Sequence, residues 1–383
     1  MKAAVLGGTG LTGRCAVYDL SENQSLEEIR VIDINKNVEF NNPKVKYYQA
    51  DARDTPSVVK ALKGVDVLIN AVQYYYNVDI MKAALEAKVN YIDLGGLYYT
   101  TLEQLKLDQE FKNQNILAII GMGAQPGISS VLVSYGASKL DRIDSIKIRD
   151  AWVDKTNYQK LFFTWSPMTL FDEFTLQAVY YDNGLKEAPP FSNSEEFDFG
   201  WEVGKVRVFR TVHSELATIP ESFVEKGVKY VEWLEGSPDI EKLKFLSDIG
   251  FGRKDKINIR GIEISPREFL FEFLKEQGML YPPPDLQIRD YEVTVAELSG
   301  VDSGKKKTVK MFAYFKYDEK WKVSASQKEV GVPASIAAQM ILNGTIKGKG
   351  VKPPEQIVPA KQFFQELAKR DIKIAAEESY EIN

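Results

Sequence analysis

The stretch Gly7-Gly8-Thr9-Gly10-Leu11-Thr12-Gly13 limits the fold of this chain more than any other. It follows Lys2-Ala3-Ala4-Val5-Leu6, an apolar run that reads as a buried strand, and precedes Cys15, Ala16, Val17 and Leu20 at helical spacing. Gly8, Gly10 and Gly13 fit G-x-G-x-x-G. A second strand, Ile29-Arg30-Val31-Ile32-Asp33, ends in an acid about 20 residues beyond Gly13, the spacing of the dinucleotide fingerprint. Gly10 leaves room for a pyrophosphate, and Gly13 lets the helix lie close on the strand. The helix amino terminus near Leu11 offers unpaired N–H groups and a partial positive charge. Gly8, Thr9, Gly10, Leu11 and Thr12 are the expected pyrophosphate cradle. Asp33 would accept hydrogen bonds from the adenosine ribose, which favours NAD, with NADP as the alternative. The competing reading is a Gly-rich surface turn that binds nothing.

Strands and helices keep alternating to about residue 124. Val45–Ala50, Val65–Asn70, Asn90–Leu94 and Ile116–Ile120 read as further strands. Ser57–Lys63 (with Thr55 as cap), Val78–Ala87 and Leu102–Asn113 read as the helices between them. Repeated βα units with short connections predict an α/β, doubly wound parallel sheet of the Rossmann kind over residues 1–127, with its ligand beyond the carboxyl ends of the strands.

The pattern changes after a helix at Ile128–Leu140. Ser145–Ala151, Val206–Val212, Arg289–Leu298 and Thr308–Tyr317 alternate like strands, and Met168–Tyr180 reads as a helix. Asp302-Ser303-Gly304-Lys305 predicts a hairpin, and Lys305-Lys306-Lys307 a solvated tip. Residues 128–330 are therefore expected to form an α+β substrate and dimerisation domain. Residues 331–383, with helices at Ala334–Leu342 and Pro359–Arg370, are expected to pack back on the Rossmann domain.

A net charge of −5 gives no support for nucleic-acid binding. No run of about 18 apolar residues suggests a membrane span, and the amino terminus enters a strand without a leader-like segment, so a cytoplasmic location is expected. With one cysteine, Cys15, and one histidine, His213, a cysteine-based or multi-histidine metal site is not expected.

Tyr135-Gly136-Ala137-Ser138-Lys139 is a Y-x-x-x-K, the pair short-chain reductases use as acid and pKa-lowering lysine. It follows the sixth strand, one βα unit later than in those enzymes. That argues for coincidence, and a reductase using Tyr135 and Lys139 stays as the alternative. A non-catalytic NAD(P)-binding regulator is a third reading.

Several segments in order resemble the saccharopine dehydrogenase-like family, which includes saccharopine reductases, lysine 6-dehydrogenases and carboxynorspermidine dehydrogenases. They are Gly7–Arg14, Asn70-Ala71-Val72, Tyr91–Gly96, Gly121–Ser129, Thr164-Trp165-Ser166-Pro167 with Asp172 and Glu173, Glu241–Phe251, and Gly350-Val351 leading to Pro354-Glu355. The resemblance implies a Rossmann domain, a substrate domain and a returning tail. It implies NAD(P)-linked hydride transfer at a carbon bearing an amine, on an amino acid or carboxyamine, and a homodimer. One stretch departs from it. Lysine dehydrogenases carry Arg-Tyr-Pro-Gly-His near the place of Glu235-Gly236-Ser237-Pro238, which puts lysine and saccharopine in doubt as substrates and leaves a polyamine-type carboxyamine open.

Asp51 and Ala52 are expected to line the adenine, and Asn70, Ala71 and Val72 to approach the nicotinamide ribose. Asp93, at a central strand end, is the expected catalytic acid–base group, with a helix-capping role as its alternative. Tyr74, Thr164 and Trp165 are expected substrate-wall residues. Arg210 is a candidate partner for a substrate carboxylate, because its planar fork suits one, and His213 a candidate proton shuttle.

Overall fold

The computed structural model describes the whole chain except Asn37, Gln159, Pro284 and Asn383. Strands Lys2–Leu6, Glu28–Asp33, Val45–Gln49, Val67–Asn70, Asn90–Asp93 and Leu117–Ile119 run parallel in one sheet, and Gly350–Lys352 joins its edge from the distant tail. The order across the sheet is 350–352, 117–119, 90–93, 67–70, 2–6, 28–33, 45–49. The strand order reverses between Lys2–Leu6 and Val67–Asn70, which opens a crevice there. Helices cover both faces, so these strands are apolar throughout rather than alternating: Ala3, Ala4, Val5, Val67, Leu68 and Ile69 are fully buried. The helix expected from Ser57 starts at Thr55, with Asp54 rather than Thr55 in the cap position.

The second layer is a mixed nine-stranded sheet. Its centre is Arg142–Asp154, paired parallel to Tyr230–Gly236 on one side and antiparallel to Asp290–Asp302 on the other. The hairpin of Asp290–Asp302 and Lys305–Lys316 turns at Ser303-Gly304, as expected. The helix expected over Met168–Tyr180 is shorter, Pro167–Glu173. The β-favouring Val179-Tyr180-Tyr181 instead belongs to strand Ala178–Asp182. Helix Ile128–Ala137 connects the layers. One buried cluster runs from Val5 through Val131 and Leu132 to Ile146 and Leu298, so both sheets share a core.

Three further differences sit in the tail. Helix Ala325–Leu342 begins well before Pro333 and contains it. Ser324 and Gln327 form a reciprocal capping box at its start. This helix lies against Leu11–Glu22 so closely that a Cβ on Gly331 would stand 2.7 Å from the Thr12 carbonyl oxygen. The tail does return to the first layer: Arg370 Nε donates to Asp19 Oδ1 at 2.5 Å, and Ser335 Oγ donates to Asp19 Oδ2 at 2.6 Å. The chain then ends in an unanticipated strand, Lys373–Tyr380, which pairs with Lys305–Lys316 in the second sheet. That strand covers the hairpin tip. Lys307 is consequently buried rather than solvated, and pairs with Asp302 at 3.1 Å and Glu378 at 2.9 Å.

Candidate functional site

The Gly-rich turn has the shape that a dinucleotide needs. A Cβ on Gly13 would lie 2.2 Å from the Gly7 carbonyl oxygen, so only glycine lets the helix sit this close. Gly7 adopts φ +77° against Ala71 and Val72, which brings the end of Val67–Asn70 to the turn. Helix Leu11–Glu22 opens at Gly10 with no side-chain cap, leaving its first N–H groups for an anion. Gly10 is exposed, and a Cβ there would meet only the Gly7 oxygen, at 3.1 Å. Asp33 Oδ2 accepts from Thr9 N at 3.0 Å and Thr9 Oγ1 at 2.7 Å, which fixes the carboxylate beside the turn. Asp51 is held by Arg53, whose hydrogen bonds bring its pKa down to about 2. Ala52 beside it is half-buried. Asn70 is buried and donates to Asn77 Oδ1 at 2.9 Å and Tyr91 Oη at 3.0 Å. The turn, Asp33 and Asn70 stand at the carboxyl ends of neighbouring parallel strands.

The expected substrate and catalytic residues divide. Asp93 is sealed: Oδ1 accepts from Gly121 N at 2.7 Å and Gly95 N at 3.0 Å, and Oδ2 from Gln104 Nε2. Burial raises its pKa and those donors oppose the rise. With no open face, Asp93 fastens two strand-end turns together, and the acid–base expectation for it is corrected. Arg210 is likewise not open to a substrate carboxylate. It is bound to Glu232 (Nε to Oε1, 2.9 Å) and lies 4.0 Å from the Tyr180 ring centroid, so no substrate carboxylate reaches its fork. Tyr74 donates to Asp172 Oδ2 at 2.7 Å and latches the first layer to helix Pro167–Glu173. Burial and that carboxylate hold the Tyr74 hydroxyl in its protonated form. Thr164 donates to Ser326 Oγ at 3.2 Å, and Trp165 packs edge-on against Trp152. His213 stacks on Trp233 at 3.9 Å and its Nδ1 meets Glu215 Oε2.

Beyond these residues stands a group of buried carboxyls that sequence reasoning missed. Asp150, Glu173, Glu215, Glu235, Glu292 and Glu329 are each at most 5% exposed, and they come from six separate elements. Gln125, in the loop after Leu117–Ile119, donates to Asp150 Oδ1 at 2.6 Å, and Thr294 donates to the same oxygen at 2.8 Å. Ser129 donates to Glu215 at 2.6 Å, Thr211 to Glu235 at 2.5 Å and Ser326 to Glu292 at 3.1 Å. Glu292 touches both Asp150 and Glu329, which is stable only if these carboxyls share protons. Burial, then the neighbouring negative charges, push Asp150, Glu173, Glu292 and Glu329 well above the usual carboxylate range. Burial also raises Glu235, opposed by His213. Glu173 Oε2 and Glu329 Oε2 are enclosed with no partner.

These raised values set a pH dependence. Nearby Asp290 is pushed by burial to about 7, so between about pH 4 and 7 the folded chain keeps a proton that the unfolded chain has lost. Stability should therefore fall as pH rises through this window, by up to ~1.4 kcal/mol per pH unit for each such group. The ligand-free protein is expected to melt lower at pH 8 than at pH 6, with Asp290→Asn reducing the slope. A melting temperature that climbs over that interval would contradict the assignment.

The saccharopine dehydrogenase NADP-binding domain family matches residues 3–119, and the saccharopine dehydrogenase C-terminal domain family matches residues 123–372. The chain belongs to the saccharopine dehydrogenase family. It is 27% identical over 351 residues to carboxynorspermidine synthase of Vibrio cholerae, covering 86% of this chain and 83% of that one. It is 26% identical over 337 residues to carboxyaminopropylagmatine dehydrogenase of Synechocystis, covering 83% and 82%. Its fold is similar to that of saccharopine dehydrogenase (L-Glu forming) from Saccharomyces cerevisiae, with TM-score 0.73, 17% identity and 99% of both chains covered. As a member of this family the protein is an NAD(P)-dependent oxidoreductase acting on an amine-bearing carbon. Among the described residues, no helix is long and apolar enough to cross a membrane.

Membership leaves Tyr135 and Lys139 without a catalytic part. Tyr135 lies in the last turn of Ile128–Ala137 and packs edge-on against Phe364, with Lys139 Nζ 5.1 Å from its ring centroid. It lines a groove of about 650 Å³ against Ala368 and Ile374 of the tail, separate from the carboxyl group and the Gly-rich turn. Tyr135→Phe should keep full turnover with any amine substrate in a cofactor-reduction assay. A loss of about 100-fold would return the short-chain reading.

Proposed function

We propose that this dehydrogenase oxidises, or in reverse forms, a secondary amine in a carboxylated polyamine-type substrate, the class named in its Vibrio and Synechocystis relatives. The observation that carries this reading is the cluster of six buried carboxyls. A cationic amine chain would balance these acids, while Arg210, whose fork would suit an amino-acid carboxylate, is bound to Glu232. In this reading Gly8–Thr12 hold the pyrophosphate, and Asp33 holds the ribose and favours NAD. Asp51 and Ala52 border the adenine, and Asn70, Ala71 and Val72 border the nicotinamide ribose.

When bound, the nicotinamide takes a hydride from the carbon beside nitrogen or returns one to it. The chain's own task is to place that nitrogen and move its proton. A protonated amine has no lone pair to support hydride loss, so it first gives its proton to a neighbouring base. Glu173, with its unpartnered Oε2 and a raised pKa, takes that role in place of Asp93. Helix Pro167–Glu173 is held against the crevice by the Tyr74–Asp172 bond and by Gln73 Nε2 donating to Ser166 Oγ at 3.1 Å. Thr164 and Trp165 flank the approach.

Glu173→Gln should lower kcat by about 100-fold or more while NADH binding, followed by fluorescence, stays unchanged. Unchanged kcat with a raised KM would reduce Glu173 to a binding group. Phe245, Ile249, Ile262, Phe269 and Phe273 are exposed apolar side chains of the second domain. They support reading the working form as a homodimer, and a monomer mass in solution would overturn that part.

A further inference from the structure

We infer that strand Lys373–Tyr380 is a docking edge for the same strand of a second copy of this chain, paired antiparallel about a two-fold axis at Ala375. The strand closes one end of the nine-stranded sheet. Lys305–Lys316 pairs with it in unbroken register, from Lys307↔Tyr380 to Tyr314↔Lys373. Among the described residues no strand pairs with its other side. Residues 376–380 are exposed, and Ile374 and Ala375 are only half-buried. Backbone N–H and C=O groups along that side therefore face outward, which makes the edge a template for a further strand.

Two cavities flank this edge. One is the groove of about 650 Å³, where Tyr135, Phe364 and Ala368 stand across from Ile374 and Ala376. The other, of about 310 Å³, is bordered by Trp201, Tyr314, Lys316 and Lys373. Trp201 is 49% exposed there and stands edge-on to Tyr314. Ile374 packs against the core shared by both sheets, and Ala375 against the separate cluster of Phe199 and Val208. The two cavities thus serve opposite faces of the strand. A strand laid on the edge sends alternate side chains toward each of them.

The charge order commits the edge to its own copy. In an antiparallel pair centred on Ala375, Lys373 lies opposite Glu377 of the second copy, Ile374 opposite Ala376, and Ala375 opposite Ala375. That arrangement makes two ion pairs and two apolar pairs, with no like charges facing. Lys373 and Glu377 are both exposed, and among the described residues neither forms an ion pair within the chain. Their neighbours do: Lys307 pairs with Glu378 and Lys316 with Asp371. Sliding the register by two residues one way sets Glu377 against Asp371, and the other way sets Lys373 against Ser379, so the charges favour a single register. Ile374 of each copy then comes to the other's groove beside Ala376. The edge is distinct from the exposed apolar side chains Phe245, Ile249, Ile262, Phe269 and Phe273, and stands whether or not those form an interface.

The test uses the full chain carrying Ala375→Cys, oxidised mildly with copper–phenanthroline. Residues facing each other across antiparallel strands are ~4.5–5.5 Å apart at Cα, within reach of a disulfide. The native thiol, Cys15, is fully buried. A disulfide-linked dimer should form with Ala375→Cys and be at least ~10-fold less abundant with Ser379→Cys, four residues from the axis. By sedimentation, Glu377→Lys and Lys373→Glu should each raise the dissociation constant of this contact by at least ~10-fold. Lys373→Glu/Glu377→Lys, which restores opposite charges across the axis, should recover it. No cross-link at Ala375→Cys, equal cross-linking at both positions, or a double variant as weak as the singles overturns the inference. A wild-type dimer mass that charge reversal leaves unchanged also overturns it, and leaves a homodimer on the apolar side chains standing.

Discussion

Asp172→Ala should destabilise this protein by about 3–5 kcal/mol and remove its turnover. Asp172 is 1% exposed, and its two oxygens serve three partners. Oδ1 takes Arg267 Nη1 at 2.5 Å and Lys254 Nζ at 2.7 Å, and Oδ2 takes the Tyr74 hydroxyl. Lys254 is half-exposed and would return to water, so its loss costs little. Arg267 is also 1% exposed, and its remaining bonds go to neutral acceptors, the Gly252 and Phe171 carbonyls and Thr175 Oγ1. Without Asp172 its cation is stranded among Phe171, Leu270 and Phe271. The same substitution releases Tyr74 and with it the helix that carries Glu173. Urea unfolding should show the midpoint shift. Asp172→Ala/Arg267→Met, which removes both charges, should recover much of the stability but not the turnover. Full stability in the single variant would mean that the buried pair does not hold the domain.

Gly13→Ala should also destabilise the protein, by a different route. The added Cβ would arrive 2.2 Å from the Gly7 carbonyl oxygen and 3.0 Å from the Gly8 Cα, so the helix or the turn has to move. Overpacking of this kind costs about 1–3 kcal/mol and displaces the anion-binding N–H groups, so NADH affinity should fall by more than ~10-fold. Gly10→Ala separates packing from ligand approach. Its Cβ meets only the Gly7 oxygen at 3.1 Å, so the melting temperature should hold while cofactor binding is lost. Equal NADH affinity in wild type and Gly10→Ala would place the pyrophosphate elsewhere.

The contrast between these regions explains what was legible in the sequence. The cofactor crevice is written locally. Gly8, Gly10, Gly13 and Asp33 lie within one strand–helix–strand unit, and the strands around them are apolar because both faces are covered. The carboxyl cluster has no such local form. Asp150, Glu173, Glu215, Glu235, Glu292 and Glu329 come together only once strands 142–154, 230–236 and 290–302 pair and helix 325–342 docks. Arg210 misled for the same reason, because its partner Glu232 stands on the strand beside it. Asp93 occupies a strand end where catalytic acids are common, and nothing in the sequence foretells that Gly95, Gly121 and Gln104 close over it. The departure at Glu235-Gly236-Ser237-Pro238 put lysine and saccharopine in doubt without foretelling the buried carboxyls. It set an acid near where an arginine was expected, and that acid lies among the buried carboxyls.

The central claim is that this cluster of buried carboxyls selects a polycationic amine. The most direct measurement is kcat/KM for NAD(P)-linked oxidation of carboxynorspermidine against saccharopine, on the wild-type protein at one pH and ionic strength. The account expects carboxynorspermidine to be favoured by ~100-fold or more, the difference made by pairing an additional buried charge. A preference for saccharopine, with its two additional carboxylates and fewer cationic groups, would contradict it.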